Sequence, residues 1–309
     1  MTSLPLRPPR LHRGDRLALV APAGRFSSKV LERATSNFSS SGLTLELPAP
    51  LLRRHPLFAA EDTHRLMAMQ TALDSTDYRG ILAVRGGYGT SRILPGLSLD
   101  SLARHPKVII GFSDLTVLHL FLARKLDLIS FHGPMLLSGF RNYRHNALKT
   151  FTNFFLQQNQ GDLLLPQGTS TVFLRRGEAE GRLVGGNLTM LAHSLGTPFE
   201  VDTVGRILFL EDINEPLYKI DRSLTQLALA GKLSSVAAVI LGIFLDRDMP
   251  IARKKVGASV LEKLPSGVPV VADFPISHGP ENCYLPHNAR ACLRKTRPDL
   301  VLPEPCFEN

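Results

Sequence analysis

Short apolar runs, each ending in a turn and often leading into a helix-period stretch, limit the folds open to this chain. They cover 16–22, 80–84, 107–111, 127–131, 206–210, 236–241 and 268–272. Runs this short and this continuous suit strands buried on both faces. Helical patterns are read at 28–41, 115–125, 188–195 and 219–230. Strands alternating with helices predict an α/β fold whose sheet is largely parallel. The pattern weakens after Phe155, where 157–161 and 166–168 are polar and turn-rich. The expected organisation is therefore an N-terminal α/β domain over 1–160, a linker over 161–180 and a C-terminal α/β domain over 181–309. A length of 309 residues accommodates two such domains.

Composition removes several other classes. With 44% hydrophobic and 20% charged residues the chain is not a disordered or collagen-like sequence. The cysteines, Cys283, Cys292 and Cys306, form no CxxC pair, so neither a zinc ribbon nor a thioredoxin-like motif is present. An odd count fits a reducing compartment. The arginine-rich start lacks a signal-peptide apolar region, and the run 17–23 is too short to cross a bilayer. The expectation is a soluble cytoplasmic protein with no membrane partner. A net charge of +9 invites a nucleic-acid reading, but the basic residues are scattered in pairs such as Arg53-Arg54, Arg175-Arg176 and Lys254-Lys255. With no Trp the chain is poorly supplied for base stacking, so no nucleic-acid partner is expected. A solvated basic surface facing a small acidic substrate is the simpler reading.

Two segments carry chemistry. In Gly111-Phe112-Ser113-Asp114-Leu115-Thr116 an apolar run leads through Gly to a serine and then a helix. A nucleophile elbow is built this way: the tight turn exposes the hydroxyl and the helix start sets N–H groups beside it. Leu115 stands where G-x-S-x-G has its second Gly, and from this segment alone helix capping by Ser113 or Asp114 is the stronger reading. In Arg85-Gly86-Gly87-Tyr88-Gly89-Thr90 the glycines allow close backbone approach to a ligand. The turn could be an oxyanion hole, a phosphate cradle or only a tight turn. It lacks the G-x-G-x-x-G spacing and a Walker lysine.

A serine nucleophile needs a base and an orienting acid. Among ten histidines, His278 is the better candidate, because it follows a strand and a turn-rich stretch and precedes Gly279-Pro280. His119 and His193 are read as packing within helices, His132 as lining a cleft, and His287 as part of a turn. No histidine or cysteine pair has metal-ligand spacing, so no metal is expected. Glu211 and Asp212 follow the run 206–210, and an acid at a strand end reaches the carboxyl edge of a sheet. Asp212 and Glu215 are read as capping or surface residues.

Together, Arg85-Gly-Gly-Tyr-Gly89, Gly111-Phe-Ser-Asp-Leu-Thr116, Gly185-Gly-Asn-Leu188, Leu210-Glu-Asp212 and His278 with Leu285-Pro286 resemble the LD-carboxypeptidase family of serine peptidases. The resemblance runs from Gly14 to about Leu293. It implies a flavodoxin-like or amidotransferase-like parallel sheet in the N-terminal domain and a mixed α/β C-terminal domain with a swivelling-type β core. It implies a triad of Ser113, His278 and Glu211, split across the two domains with a cleft between them. It also implies an oxyanion hole from the N–H groups of Asp114 and the Gly86-Gly87 turn, and substrate contacts from Arg85, Tyr88 and Asn187. The implied reaction is cleavage of the L,D-peptide bond to the terminal D-alanine of murein tetrapeptides in cytoplasmic peptidoglycan recycling. No cofactor is implied, and the implied assembly is a homodimer. Ser277 and Asn288 stand where the family pattern has Gly, which touches the shape of the histidine loop. The alternatives are a microcin C-type hydrolase of peptidyl or aminoacyl adenylates, which the lack of Trp disfavours, and a non-catalytic anion-binding protein.

Overall fold

The computed structural model describes residues 4–48, 55–142, 145–157, 165, 169–279 and 282–308. Arg53-Arg54, Pro280 and most of 160–168, which includes the start of the expected linker, lie outside the described residues. The chain divides into two compact units, Met1–Asn159 with Cys306–Asn309, and Gln160–Pro305.

In the first unit, the elements run β1 (Arg16–Val20), α1 (Ser28–Phe38), β2 (Thr44–Glu46), α2 (Asp62–Asp74), β3 (Gly80–Ala83), α3 (Thr90–Ile93), α4 (Asp100–Arg104), β4 (Val108–Gly111), α5 (Thr116–Leu126), β5 (Ser130–His132), α6 (Leu136–Phe140) and α7 (His145–Phe155). The strands lie in the order β2-β1-β3-β4-β5 and every pair is parallel. This is the flavodoxin-like order, in which ligands bind beyond the carboxyl ends of the strands at the β1/β3 switch point. β3 and β4 are wholly buried, as their continuous apolar runs require. The run 127–131 becomes a strand only from Ser130. Helix α5 ends with Asp127 at φ 54°, and Leu128 bridges in parallel to Leu6 instead. The chain's last residues join this unit because Phe307 stacks on Phe131, with ring centroids 5.0 Å apart, and Arg10 lies over the Phe307 ring.

The second unit contains β6 (Val172–Arg175), β7 (Ala179–Asn187), α8 (Leu188–Ser194), β8 (Ile207–Ile213), α9 (Leu217–Leu229), β9 (Ala238–Asp246), β10 (Met249–Pro250), α10 (Arg253–Lys263), β11 (Val270–Ala272), β12 (Leu285–His287), β13 (Arg290–Leu293) and β14 (Leu300–Val301). Its sheet is mixed. β7, β8, β9 and β11 are mutually parallel, whereas β13 and β6 run antiparallel to β7 and β11. Two of these strands reach into the stretch read as linker: β6 lies inside it and β7 begins at Ala179. β6 is only half-buried throughout, so its apolar signal was weak beside the flanking turn residues. Among the described residues no helix is long and apolar enough to cross a membrane.

Candidate active site

Ser113 follows β4 and opens a single 3-10 turn, Ser113–Leu115, that leads into α5. Its backbone has φ 63°, the left-handed region that costs a non-glycine residue of order 1 kcal/mol or more. An N-cap residue is extended, and here that position belongs to Phe112, at φ −153° with no side-chain cap bond. The serine therefore does not cap the helix, and a strained residue at a strand-to-helix turn is a geometry that nucleophile elbows share. The first N–H groups of such a turn, that of Asp114 among them, have no partner within it.

The turn is braced from behind. His119, fully buried, places Nε2 2.8 Å from the carbonyl of Gly111 and Nδ1 2.7 Å from the hydroxyl of Ser130. A nitrogen facing a carbonyl must carry the proton, so Nδ1 accepts from Ser130. Burial pushes His119 down to about 4, and the bond to Gly111 only partly opposes this. The ring is thus neutral at pH 7 and holds the strand end two residues before Ser113. Gly111 has no room for a side chain, since a Cβ there would lie 2.4 Å from Leu115.

The glycine turn forms a wall of the same site. A Cβ on Gly86 would lie 3.0 Å from Ser113 Cβ and 3.1 Å from its Oγ. Gly87 has φ 120°, and a Cβ there would meet the Gly24 backbone at 3.2 Å. Gly24 N donates to Gly86 O at 3.2 Å, tying the loops after β1 and β3 together at the switch point. Arg85 donates from Nε to Gly86 O at 3.2 Å and from Nη1 to Arg25 O at 2.9 Å. Asp114 is buried, and its carboxylate accepts from Thr90 N at 2.8 Å, so it fixes the far end of the glycine turn. Burial pushes its carboxyl up, against the hydrogen bonds from Thr90 and Gly89. Tyr88 is exposed, with its ring 5.5 Å from Phe58. Arg65, which the sequence reading passed over, is buried beneath these loops. It donates to the carbonyls of Pro22, Ala60 and Gly89, pairs with Asp62 and lies over the Phe58 ring. An arginine inside a helix carries no sequence mark of such a role.

In the second unit, Glu211 and His278 meet. Glu211 is fully buried near the end of β8, and its Oε2 lies 2.7 Å from Nδ1 of His278. Burial pulls the His278 imidazole down, but the Glu211 carboxylate outweighs it and the net shift is upward. Glycine makes the approach possible. The β8–β9 register shifts at Glu211, between the pairs Leu210↔Leu241 and Asp212↔Phe244. Gly242 stands in this bulge, where a Cβ would lie 2.3 Å from Ile276 O and 3.2 Å from Glu211 Cβ. The Ile276 carbonyl accepts from Ile243 N at 3.0 Å, and His278 follows two residues later. Ser277 is buried, and its hydroxyl accepts from Gly279 N at 2.8 Å, closing a turn around His278. Asn288 adopts φ 72°, a conformation Asn tolerates better than other non-glycine residues. The sequence offered no sign of Gly242.

Asn187 on β7 is the register partner of Glu211 on β8. Its Oδ1 caps α8 by accepting from Met190 N at 3.1 Å, and its Nδ2 donates to Asp212 at 2.7 Å. Asp212 also accepts from the N–H and hydroxyl of Thr189, so it anchors the start of α8, as its capping reading expected. His119 packs inside α5 as expected. His193 does not pack; it is exposed, and its ring bonds to Thr189 O at 2.8 Å. His132 and His287 are both buried at strand ends. Burial pushes Cys283 and Cys306 up to about 12, which keeps both thiols protonated and unreactive.

A strained serine on a parallel sheet, together with a carboxylate-held histidine, defines the parts of a serine hydrolase. The LD-carboxypeptidase N-terminal domain matches residues 17–133 and the LD-carboxypeptidase C-terminal domain matches residues 180–293. The chain belongs to the LD-carboxypeptidase family. It is 34% identical to a probable murein peptide carboxypeptidase of Bacillus subtilis, over 97% of this chain and 95% of the relative. A crystal structure of muramoyltetrapeptide carboxypeptidase from Oxalobacter formigenes superposes with a TM-score of 0.77 at 31% identity, covering 93% of this chain and 97% of that one. The microcin C7 self-immunity protein MccF of Escherichia coli is 28% identical over 70% of this chain and 71% of the relative. A structure of MccF bound to glutamyl sulfamoyl guanosine shares the fold, with a TM-score of 0.89 at 22% identity, covering 98% of this chain and all of that one.

Proposed function

We propose that this protein is a serine-type LD-carboxypeptidase that removes the terminal D-alanine from murein tetrapeptides during cytoplasmic peptidoglycan recycling, with Ser113, His278 and Glu211 as its triad. The left-handed φ of Ser113 carries the reading, because a strained serine at a strand-to-helix turn is what a nucleophile requires and a cap does not. The full-length likeness to the Bacillus subtilis protein supports the substrate class.

The chemistry then has two halves. Ser113 Oγ attacks the carbonyl carbon of the residue before D-alanine, and His278 takes the hydroxyl proton. The oxyanion that forms is met by the N–H of Asp114 and by one from the Gly86-Gly87 turn, each such donor being worth about 3 kcal/mol in a transition state. The C–N bond breaks, His278 protonates the departing amine, and D-alanine leaves. Water then attacks the acyl-enzyme, with His278 again as base, and Ser113 is regenerated. Glu211 keeps the proton on Nδ1 and stabilises the imidazolium in both halves. The net charge of +9 would draw a substrate carrying several carboxylates inward.

Incubation with a sugar-free murein tetrapeptide, followed by assay of free D-alanine, tests the reading. The expected result is release by the native protein and a loss of several orders of magnitude in Ser113→Ala. No release from folded protein would overturn it. The likeness to MccF favours a second reading, hydrolysis of an aminoacyl adenylate or its sulfamoyl analogue. Cleavage of such a compound and not of the tetrapeptide would establish that reading instead.

A further inference from the structure

An enzyme that removes one residue must sense the chain end, and the chain end is a carboxylate. In a peptide ending in D-alanine, that carboxylate carbon is three bonds from the carbonyl carbon under attack, at most about 4 Å away. The cation that recognises it must therefore reach the surroundings of the nucleophile. Gly86 forms one wall there, with its Cβ direction 3.1 Å from Ser113 Oγ. The side chain fastened to Gly86 is Arg85, whose Nε bonds the Gly86 carbonyl. Its guanidinium also lies against Gly24, where a Cβ would be 3.6 Å from Arg85 Cζ.

Of the other arginines near these loops, Arg65 and Arg92 share Asp62, and Arg25 donates to the Pro56 carbonyl at 3.3 Å. Arg85 has no carboxylate partner among the described residues, and it is exposed. Its bonds to Gly86 O and Arg25 O use two of its five N–H donors and hold the group in one orientation. Three donors and a full charge remain, in a planar fork suited to a carboxylate.

We infer that Arg85 is the clamp for the terminal carboxylate and so makes the enzyme an exopeptidase. The two carbonyl bonds preorganise it. This inference rests on the proposed activity.

The test compares the murein tetrapeptide with the same peptide ending in D-alaninamide, using native protein, Arg85→Gln, Arg85→Lys and Arg25→Gln. Native protein is expected to prefer the carboxylate by about 100-fold in kcat/KM, as a charge-assisted bidentate contact allows. Arg85→Gln should lose at least tenfold more on the carboxylate than on the amide, and Arg85→Lys should recover part of that preference. Equal losses on both peptides would show that Arg85 only ties loops and would overturn the inference. Loss of the preference in Arg25→Gln but not in Arg85→Gln would overturn it too. Native protein that released no product from either peptide would overturn the activity itself, and the clamp with it.

Discussion

Replacing Gly86 with alanine isolates the space in front of the nucleophile. Gly86 is not among the glycines with positive φ, so its backbone accepts a side chain without strain. The new methyl would lie 3.0 Å from Ser113 Cβ, 3.1 Å from Ser113 Oγ and 3.4 Å from Met135 Cε. Ordinary contacts between such atoms start near 3.4 Å. Methionine can move aside, but Ser113 cannot follow easily. Its strand end is held at Gly111 O by His119 and by Gly133 N, and its own φ is already in a narrow well. The displacement therefore falls on the hydroxyl and on the turn meant to supply an oxyanion donor.

Overpacking of this kind costs about 1–3 kcal/mol of stability. Misplacing a reacting atom by about 1 Å costs on the order of 100-fold in rate, which corresponds to about 2.7 kcal/mol of barrier. The expected outcome is a fall in kcat/KM for D-alanine release of at least 100-fold, with the protein still folded by near-UV circular dichroism. Gly87→Ala should behave differently. With φ 120° and the Gly24 backbone 3.2 Å from the new methyl, it strains the main chain and should mainly lower Tm. A Gly86→Ala enzyme with native-like Tm and kcat/KM within threefold of wild type would refute the idea that this glycine borders the reacting hydroxyl.

Three other outcomes follow from the same geometry. Because Ser113 sits at φ 63°, Ser113→Gly should be more stable than Ser113→Ala by about 1 kcal/mol in urea unfolding, the reverse of the usual order for Gly and Ala, while both lack activity. His119 is held down to about 4 from an ordinary 6.5, so the unfolded chain binds a proton over that window that the folded chain refuses. Its contribution is present above the window and is lost as pH falls through it, by about 3 kcal/mol in all; His119→Gln should remove that slope from urea titrations at pH 7 and pH 5. Glu211 raises His278, so Glu211→Gln should lower kcat by about 10³–10⁴-fold and move the acid limb of the residual pH–rate profile to lower pH.

The parallel core was legible because strands buried on both faces appear as uninterrupted apolar runs, as at 80–83 and 108–111. Elements without such runs were not. β2 is three residues long, and α10 carries Arg253, Lys254 and Lys255 in its first turn, where charge hides the buried Val256 and Val260. In the proposed triad, Ser113, Glu211 and His278 stood out because they follow apolar runs in the sequence, although β8 continues through Glu211 to Ile213. What sequence order cannot show is which side of a strand a residue faces after a bulge, or which glycine lets two segments touch. Gly242 is of this kind, since its importance arises only where Ile276 and Glu211 press against the same point. Asn187 shows the same limit: nothing in its motif shows that its carboxamide bonds Met190 N at the start of α8 and Asp212.

Glu211 and Asp212 show how one strand separates two chemically similar groups. They are adjacent, both buried, and both acidic. Successive residues of a strand face opposite sides, so only one can meet the imidazole. Glu211 does; Asp212 turns to Asn187 and Thr189 on α8. The pair is costly to hold ionised. Burial, and then the charge of Glu211, push Asp212 up to about 6, despite its bonds from Thr189, Ile213 and Asn187. A carboxyl raised in the folded state contributes stability at low pH that is lost as pH rises to about 6, so at neutral pH Asp212 opposes folding. The same two negative charges shift His278 upward against the effect of its burial. The arrangement that weakens the resting fold is therefore the one that favours an imidazolium, the species the proposed reaction forms twice in each turnover.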